Sequence, residues 1–277
     1  MSILRTLWRV LFWFYLQRKR DWNISKTIYF NFKYLPFIKA LRFPVFVYGP
    51  LIIDDAGGKI ELLIPTKELK AGIIKIGIDF DLFSPVNIGT RLQLGGIVQF
   101  HGPFKSSSNV VLGACTPYSK LEIGAYVVLG SNCCVRAYKS ISIGKYSDIA
   151  YNCKIFDTDF HPFRNFQTGH VSPFSKEVVI GKSVFVAMGT CIFKGSVLPD
   201  YSLVAAHSVL NKDYSGQPMP PFIAGVPAKV LGVASLRLVE KDLEIDVTQR
   251  FEQMHEDVVL YNGAPVDFTG KIGSFSS

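Results

Sequence analysis

The sequence predicts an all-β protein of one architecture, a parallel β-helix built from six-residue repeats, and three observations predict it. Aliphatic residues recur every six positions at Ile123, Leu129 and Val135, at Ile143, Ile149 and Ile155, and at Ile180, Val186, Ile192, Leu198, Val204 and Leu210. The next residue is mostly Gly or Ala, as at Gly124, Gly130, Gly144, Ala150, Gly181, Ala187 and Ala205. The residue four places on is small, as at Cys133, Ser147, Cys153, Thr190, Ser196, Ser202 and Ser208. A period of six fits neither a 3.6-residue helix nor a strand that continues straight. It fits a short strand and a corner, repeated, with three sides closing a coil of about 18 residues. Each aliphatic side chain then points inward onto its counterpart one coil away. Asn132, Asn152, Gly189 and Gly195 fall three places after an aliphatic residue, where a left-handed backbone suits a tight corner.

The N-terminal fifty residues differ from the rest. They hold nine Lys/Arg and one acid, Asp21, whereas the remaining residues balance 21 basic against 21 acidic side chains. All three tryptophans, Trp8, Trp13 and Trp22, lie here. Residues 3–16 are apolar but too short to span a bilayer, which takes about 20 residues, and no small-residue cleavage site follows. The run carries Arg5 and Arg9 and leads into Arg18-Lys19-Arg20. This composition suits an amphipathic helix at an anionic membrane surface or a helix on a neighbouring subunit. It holds no motif for nucleic acid. Residues 27–50 mix aromatic and basic residues with helix-breaking Pro36, Pro44 and Pro50. They are expected to extend the membrane-facing surface or to cap the first coil.

From residue 51 onward the chain reads as strands. Ile88, Leu94 and Phe100 begin a partial coil, the phase is lost around 102–109, and it returns near Leu112. Two extra residues enter between Val135 and Ile143, a small bulge near Ala137–Ser140. The next aliphatic residue is due at position 161, where the chain instead has His161-Pro162, and the repeat resumes only at Ile180. A loop over 161–179 is therefore expected to leave the coil, and loops on rigid scaffolds commonly carry function. After Leu210 a Pro/Gly-rich run, 216–232, reads as neither helix nor regular strand. Residues 235–262 show helical spacing, and the tail beyond is expected to be loosely ordered. The boundaries are 1–50 for the basic arm, 51–215 for the β-helix and 216–277 for the C-terminal extension. Five cysteines without CxxC spacing, four of them in the repeat array, point to a reduced, cytoplasmic compartment.

The chemistry gathers where the period breaks. If residues 157–161 are extended, Asp157, Asp159 and His161 project to one side. A carboxylate could orient one imidazole nitrogen and leave the other as a base. Such a base can take a proton from a hydroxyl as its oxygen attacks a thioester. Four of the five histidines, at 101, 161, 170 and 207, are scattered, so no metal site is expected.

At these residues the chain resembles the hexapeptide-repeat acyltransferases, and within them the maltose/galactoside and polysaccharide O-acetyltransferase branch. The resemblance covers 110–232 well and 73–110 loosely. It implies a left-handed β-helix, a homotrimer with sites between subunits, and direct acyl transfer from acetyl-CoA. The segment I-x-D-x-D-F-H-P places the general base on His161. Val184-Phe185-Val186-Ala187 stands where the family usually has V-W-I-G, so Phe185 and Ala187 are departures in the donor pocket. The stretch 205–213 resembles G-A-G-S-V-V-x-K-D. This implies donor contacts at Ala206 and Asn211, and a phosphate contact at Lys212. Gly225-Val226-Pro227-Ala228-Lys229 resembles the G-x-P-A-K/R ending and puts Lys229 near the adenosine phosphate. Asn132 is a candidate contact to the acceptor. The expected function is O-acetylation of a sugar hydroxyl in a surface-polysaccharide precursor. The alternatives are N-acylation of a nucleotide-linked amino sugar, or a non-catalytic scaffold on the same fold. A basic aromatic arm suggests work at the inner face of a membrane, through residues 1–20.

Overall fold

The computed structural model describes residues 22–78, 80, 88–216, 220–235 and 241–253. The helix expected at 3–16 and the tail from 262 lie outside the described residues.

Three parallel sheets form the sides of one coil, and the chain visits them in strict rotation. Val127–Leu129 lies on side one, Cys134–Ala137 on side two, Ser140–Ile143 on side three, and Asp148–Ile149 is back on side one. Side one has nine strands, side two seven and side three six. The six-residue period becomes vertical stacking. On side three Phe100, Ile123, Ile143, Ile180 and Leu198 lie in register on successive coils. On side two Leu92, Leu112, Val135, Ile155, Ile192 and Leu210 do the same. All eleven are at most 4% exposed, so these two stacks run down one continuous core. Burying one such side chain contributes about 1.5–3 kcal/mol, and a coil alone has nothing to bury it against.

The corners explain the small residues. A Cβ on Gly144 would lie 2.5 Å from the Gly181 backbone one coil away, and one on Gly124 would lie 2.5 Å from the Lys145 nitrogen. The glycine after the aliphatic residue is thus a contact requirement between coils. At the corner from side one to side two, Asn132 and Asn152 have φ of 59° and 60°, as their spacing predicts. His207 holds the same corner one coil beyond Gly189, also at positive φ.

Two segments differ from expectation. The first rung begins at Val45–Val47, well before the partial coil read near residue 88. The Pro/Gly-rich run also contains strands. Pro221–Gly225 pairs parallel with Leu203–Val204, and Ala228–Val233 folds back on it antiparallel. Pro221 opens its strand and Gly225, at φ 103°, makes the turn, which are positions where these residues fit a sheet.

At the N-terminal end, helix α1 (Ile24–Tyr34) lies against the edge strand Val45–Val47. Its Asn23 cap accepts from the Lys26 N–H. Thr27 Oγ1 accepts from the Val47 N–H at 3.0 Å. Asn31 Nδ2 donates to the Val45 carbonyl at 2.7 Å, and its Oδ1 accepts from the Val45 N–H. The helix therefore satisfies an open sheet edge with buried polar side chains. Pro36 ends it, and a short helix α2 (Phe37–Ala40) follows. The chain up to Ala234 forms one compact unit. Ser235–Ser277 forms a second, in which α3 spans Lys241–Gln253 within the stretch read as helical.

Candidate active site

The coil opens between side two and side three. Strand Lys154–Phe156 ends, and the chain returns only at Val178–Ile180. The intervening arm is a narrow antiparallel loop, bridged at Thr158–Ser175 and at Arg164–Val171. Asn165 shapes its tip, accepting through Oδ1 from the N–H groups of Gln167 and Thr168. His161 stands on the outgoing limb and is exposed. Among the described residues, no hydrogen bond or ion pair reaches its ring.

The three residues expected to project together are separated. The limb is not extended: Phe160 has φ of 66°, which turns the chain between Asp159 and His161. Asp157 is fully buried, and its carboxylate accepts from three backbone N–H groups, those of Tyr138, Lys139 and Ser140, at 2.6–2.7 Å. Those amides belong to the two-residue bulge one coil earlier, where the ladder leaves them without strand partners. Asp157 is thus the anchor of the bulge and does not orient an imidazole, which corrects its assignment as a catalytic partner. Asp159 ion-pairs with Lys194 at 2.5 Å, and Lys194 also donates to the Pro173 carbonyl at 2.8 Å on the returning limb. Its carboxylate is engaged there and not with His161. Together Asp157 and the Asp159–Lys194 pair fasten the base of the arm to the coil.

Aromatic rings flank that base. Phe160 meets Tyr138 and Phe156 edge-on at 5.2 and 5.4 Å between centroids. Arg136, facing outward on side two, donates from Nη2 to the Tyr138 hydroxyl at 2.9 Å, while its buried Nε has no hydrogen-bond partner among the described residues. Sequence reading assigned nothing to Arg136, Tyr138 or Lys194. The available signal for Arg136 was an arginine at an outward strand position just before a bulge. Lys194 offered none, because its contact crosses coils.

The donor-side candidates fall on two edges. Phe185 is on an outward position of side one, and Ala187 and Ala206 sit on successive coils at the corner from side one to side two. Lys229 is exposed beside them in register with Ala224. Asn211 and Lys212 instead follow side two, on the edge from which the arm departs, and the Lys212 ammonium lies 5.3 Å from the Tyr214 ring centre. Asn132 stands at the corner from side one to side two, where its positive φ already accounts for its identity. Among the described residues, no three His, Cys, Asp or Glu side chains come together as a metal group.

The six-residue spacing and the three-sided coil agree along the chain. The protein is a hexapeptide-repeat β-helix. No protein-family model and no curated protein matches it. It is similar to several solved structures. One is the polySia-specific acetyltransferase NeuO, at 18% identity over 76% of this chain and 89% of that one, with a TM-score of 0.47. Another is the polysialic acid O-acetyltransferase OatWY, at 20% identity over 72% and 93%, with a TM-score of 0.41. A third is AntD, an N-acyltransferase from Bacillus cereus in complex with dTDP and 3-hydroxybutyryl-CoA, at 16% identity over 76% and 89%, with a TM-score of 0.39.

Proposed function

We propose that this hexapeptide-repeat β-helix is an acyltransferase that moves an acetyl group from acetyl-CoA to a sugar hydroxyl of a surface-polysaccharide precursor. The observation that carries the reading is His161. It is an imidazole that no hydrogen bond or ion pair reaches among the described residues, borne by an arm that is pinned to a rigid coil. An unpaired, exposed ring is free to accept a proton from an incoming hydroxyl. As the proton moves to the imidazole, the sugar oxygen attacks the thioester carbonyl. The tetrahedral adduct collapses by breaking the carbon–sulfur bond, and the imidazolium returns the proton to the departing thiolate. The products are an O-acetyl sugar and free CoA thiol, and no acyl-enzyme is needed.

The donor candidates lie along two edges of the coil, and the arm exposes Phe163, Phe166 and Phe174. Both features favour a homotrimer. In it, one copy supplies the arm with Lys212 and the next supplies Phe185, Ala187, Ala206 and Lys229. Lys212 and Lys229 would then hold CoA phosphates as point charges. We place the enzyme at the inner face of a membrane, where residues 1–20 would meet anionic lipid beside a lipid-linked glycan.

The test is thiol release from acetyl-CoA across a panel of sugars and glycan precursors, followed by mild base treatment of the product. An ester is cleaved and an amide survives, which separates O-acetylation from N-acylation. His161→Ala is expected to lower the rate by about 10²–10⁴-fold with little change in the thermal midpoint, since the side chain is exposed and no hydrogen bond or ion pair holds it among the described residues. Undiminished turnover in that variant would remove the base from the mechanism.

A further inference from the structure

Helix α1 is amphipathic in the inverse sense. Its coil-facing side carries Thr27 and Asn31, both at most 1% exposed and both bonded to the edge strand, with Phe30 buried beside them. Its outward side carries Ile24, Ile28 and Phe32, four residues apart and each more than 40% exposed. Phe32 also touches Phe37 at 6.2 Å between centroids, which joins this stripe to α2. There Phe37 and Ile38 are 67% and 70% exposed, and Leu41 follows at 56%. The result is one apolar surface across the end cap, of a kind that proteins rarely leave in water.

Its charge names the occupant. Residues 22–50 hold Lys26, Lys33, Lys39 and Arg42 and no acidic residue, although the chain beyond them is electrically balanced. Lys33 and Arg42 are exposed among the apolar side chains, and Lys26 lies against Tyr29. A recess of about 350 Å³, lined by Ser25, Lys26, Tyr29 and Ile53, adjoins α1. A second copy docked isologously on this face would set cation against cation, which disfavours self-association. Residues 1–20 carry the same apolar and cationic composition and offer no countercharge. An anionic bilayer surface provides both what the apolar groups require and what the cations require.

We propose that the outward face of α1 and α2 is a docking surface for anionic membranes, with Phe32, Phe37, Ile38 and Leu41 entering the acyl boundary and Lys26, Lys33 and Arg42 meeting headgroups. This contact is separate from any made by residues 1–20 and independent of the acetyl-transfer reading.

Co-sedimentation of the full chain with phosphatidylcholine vesicles, with and without 30 mol% phosphatidylserine, tests it. The intact protein is expected to bind the anionic vesicles, with an affinity that falls as salt is raised. Phe37→Glu/Ile38→Glu and, separately, Lys33→Glu/Arg42→Glu are expected to weaken that binding by about tenfold or more. Light scattering and the thermal midpoint check that each variant keeps its oligomeric state and fold. Three results would overturn the proposal. One is equal binding, or none, to the two vesicle types. Another is unchanged binding by both variants, which would leave residues 1–20 as the sole contact. The third is dissociation of an oligomer by Phe37→Glu/Ile38→Glu in the absence of vesicles, which would make a second copy the occupant.

Discussion

Asp157 and His161 stand four residues apart in opposite surroundings, one buried and hydrogen-bonded, the other exposed. The Asp157 carboxylate holds three backbone N–H groups of a bulge that no strand satisfies. Hydrogen bonds to a charged group contribute about 1.5–3 kcal/mol each. Asp157→Ala leaves three amides unpaired and should cost at least about 3 kcal/mol. In a chain of this size that is read as a fall of roughly 6–12 °C in the thermal midpoint. Asp157→Asn, which keeps one acceptor oxygen, should fall in between. His161→Ala should show the opposite pattern, a loss of turnover with little change in the midpoint. The cysteines give a second residue-scale check. Burial pushes the thiols of Cys115 and Cys134 upward from the ordinary value, so little thiolate forms near neutrality. Alkylation of the native protein at pH 7.5 should be slower at these two than for free cysteine, and should accelerate as pH rises. Cys133 and Cys153, at most 1% exposed, should label only on unfolding.

At the scale of the element, the arm and the glycine corners make separate demands. Asp159 and Lys194 are both partly exposed, so their pair contributes roughly 1 kcal/mol or less to stability. Its effect is on the position of the arm. Asp159→Ala and Lys194→Ala should each speed proteolytic cleavage within 165–170 and lower kcat/KM. The double variant should do little more than either alone, because both remove one contact. Gly144→Ala is of another kind. Its Cβ would fall 2.5 Å from the Gly181 backbone, so two coils must part, and the midpoint should drop although only a methyl group is added. These demands also mark what was legible in the sequence. Coils from Ile123 onward showed their period because every sixth position, inward in each rung, holds Ile, Leu or Val. The earlier rungs did not, since their inward positions include Phe104, Ser106, Thr90 and Ala114 and their corners vary in length. His161 stood out because it interrupts a period. The tasks of Asp157 and Lys194 did not, because each depends on a group on a neighbouring coil.

At the scale of the whole molecule, the repeat sets length and the two ends set limits. If the site is shared between copies, light scattering should report three times the 30.9 kDa chain mass. Phe166→Glu, at a fully exposed position on the arm, should lower that mass and the turnover together. The ends of the coil carry a different consequence. On side one, the Val45–Val47 edge is occupied by the Thr27 hydroxyl and the Asn31 amide, and the far edge is closed by a strand running the opposite way. On side one, therefore, the parallel ladder ends at both edges. That side, whose every rung could accept a next rung, is closed by one hydroxyl, one carboxamide and one reversal of chain direction.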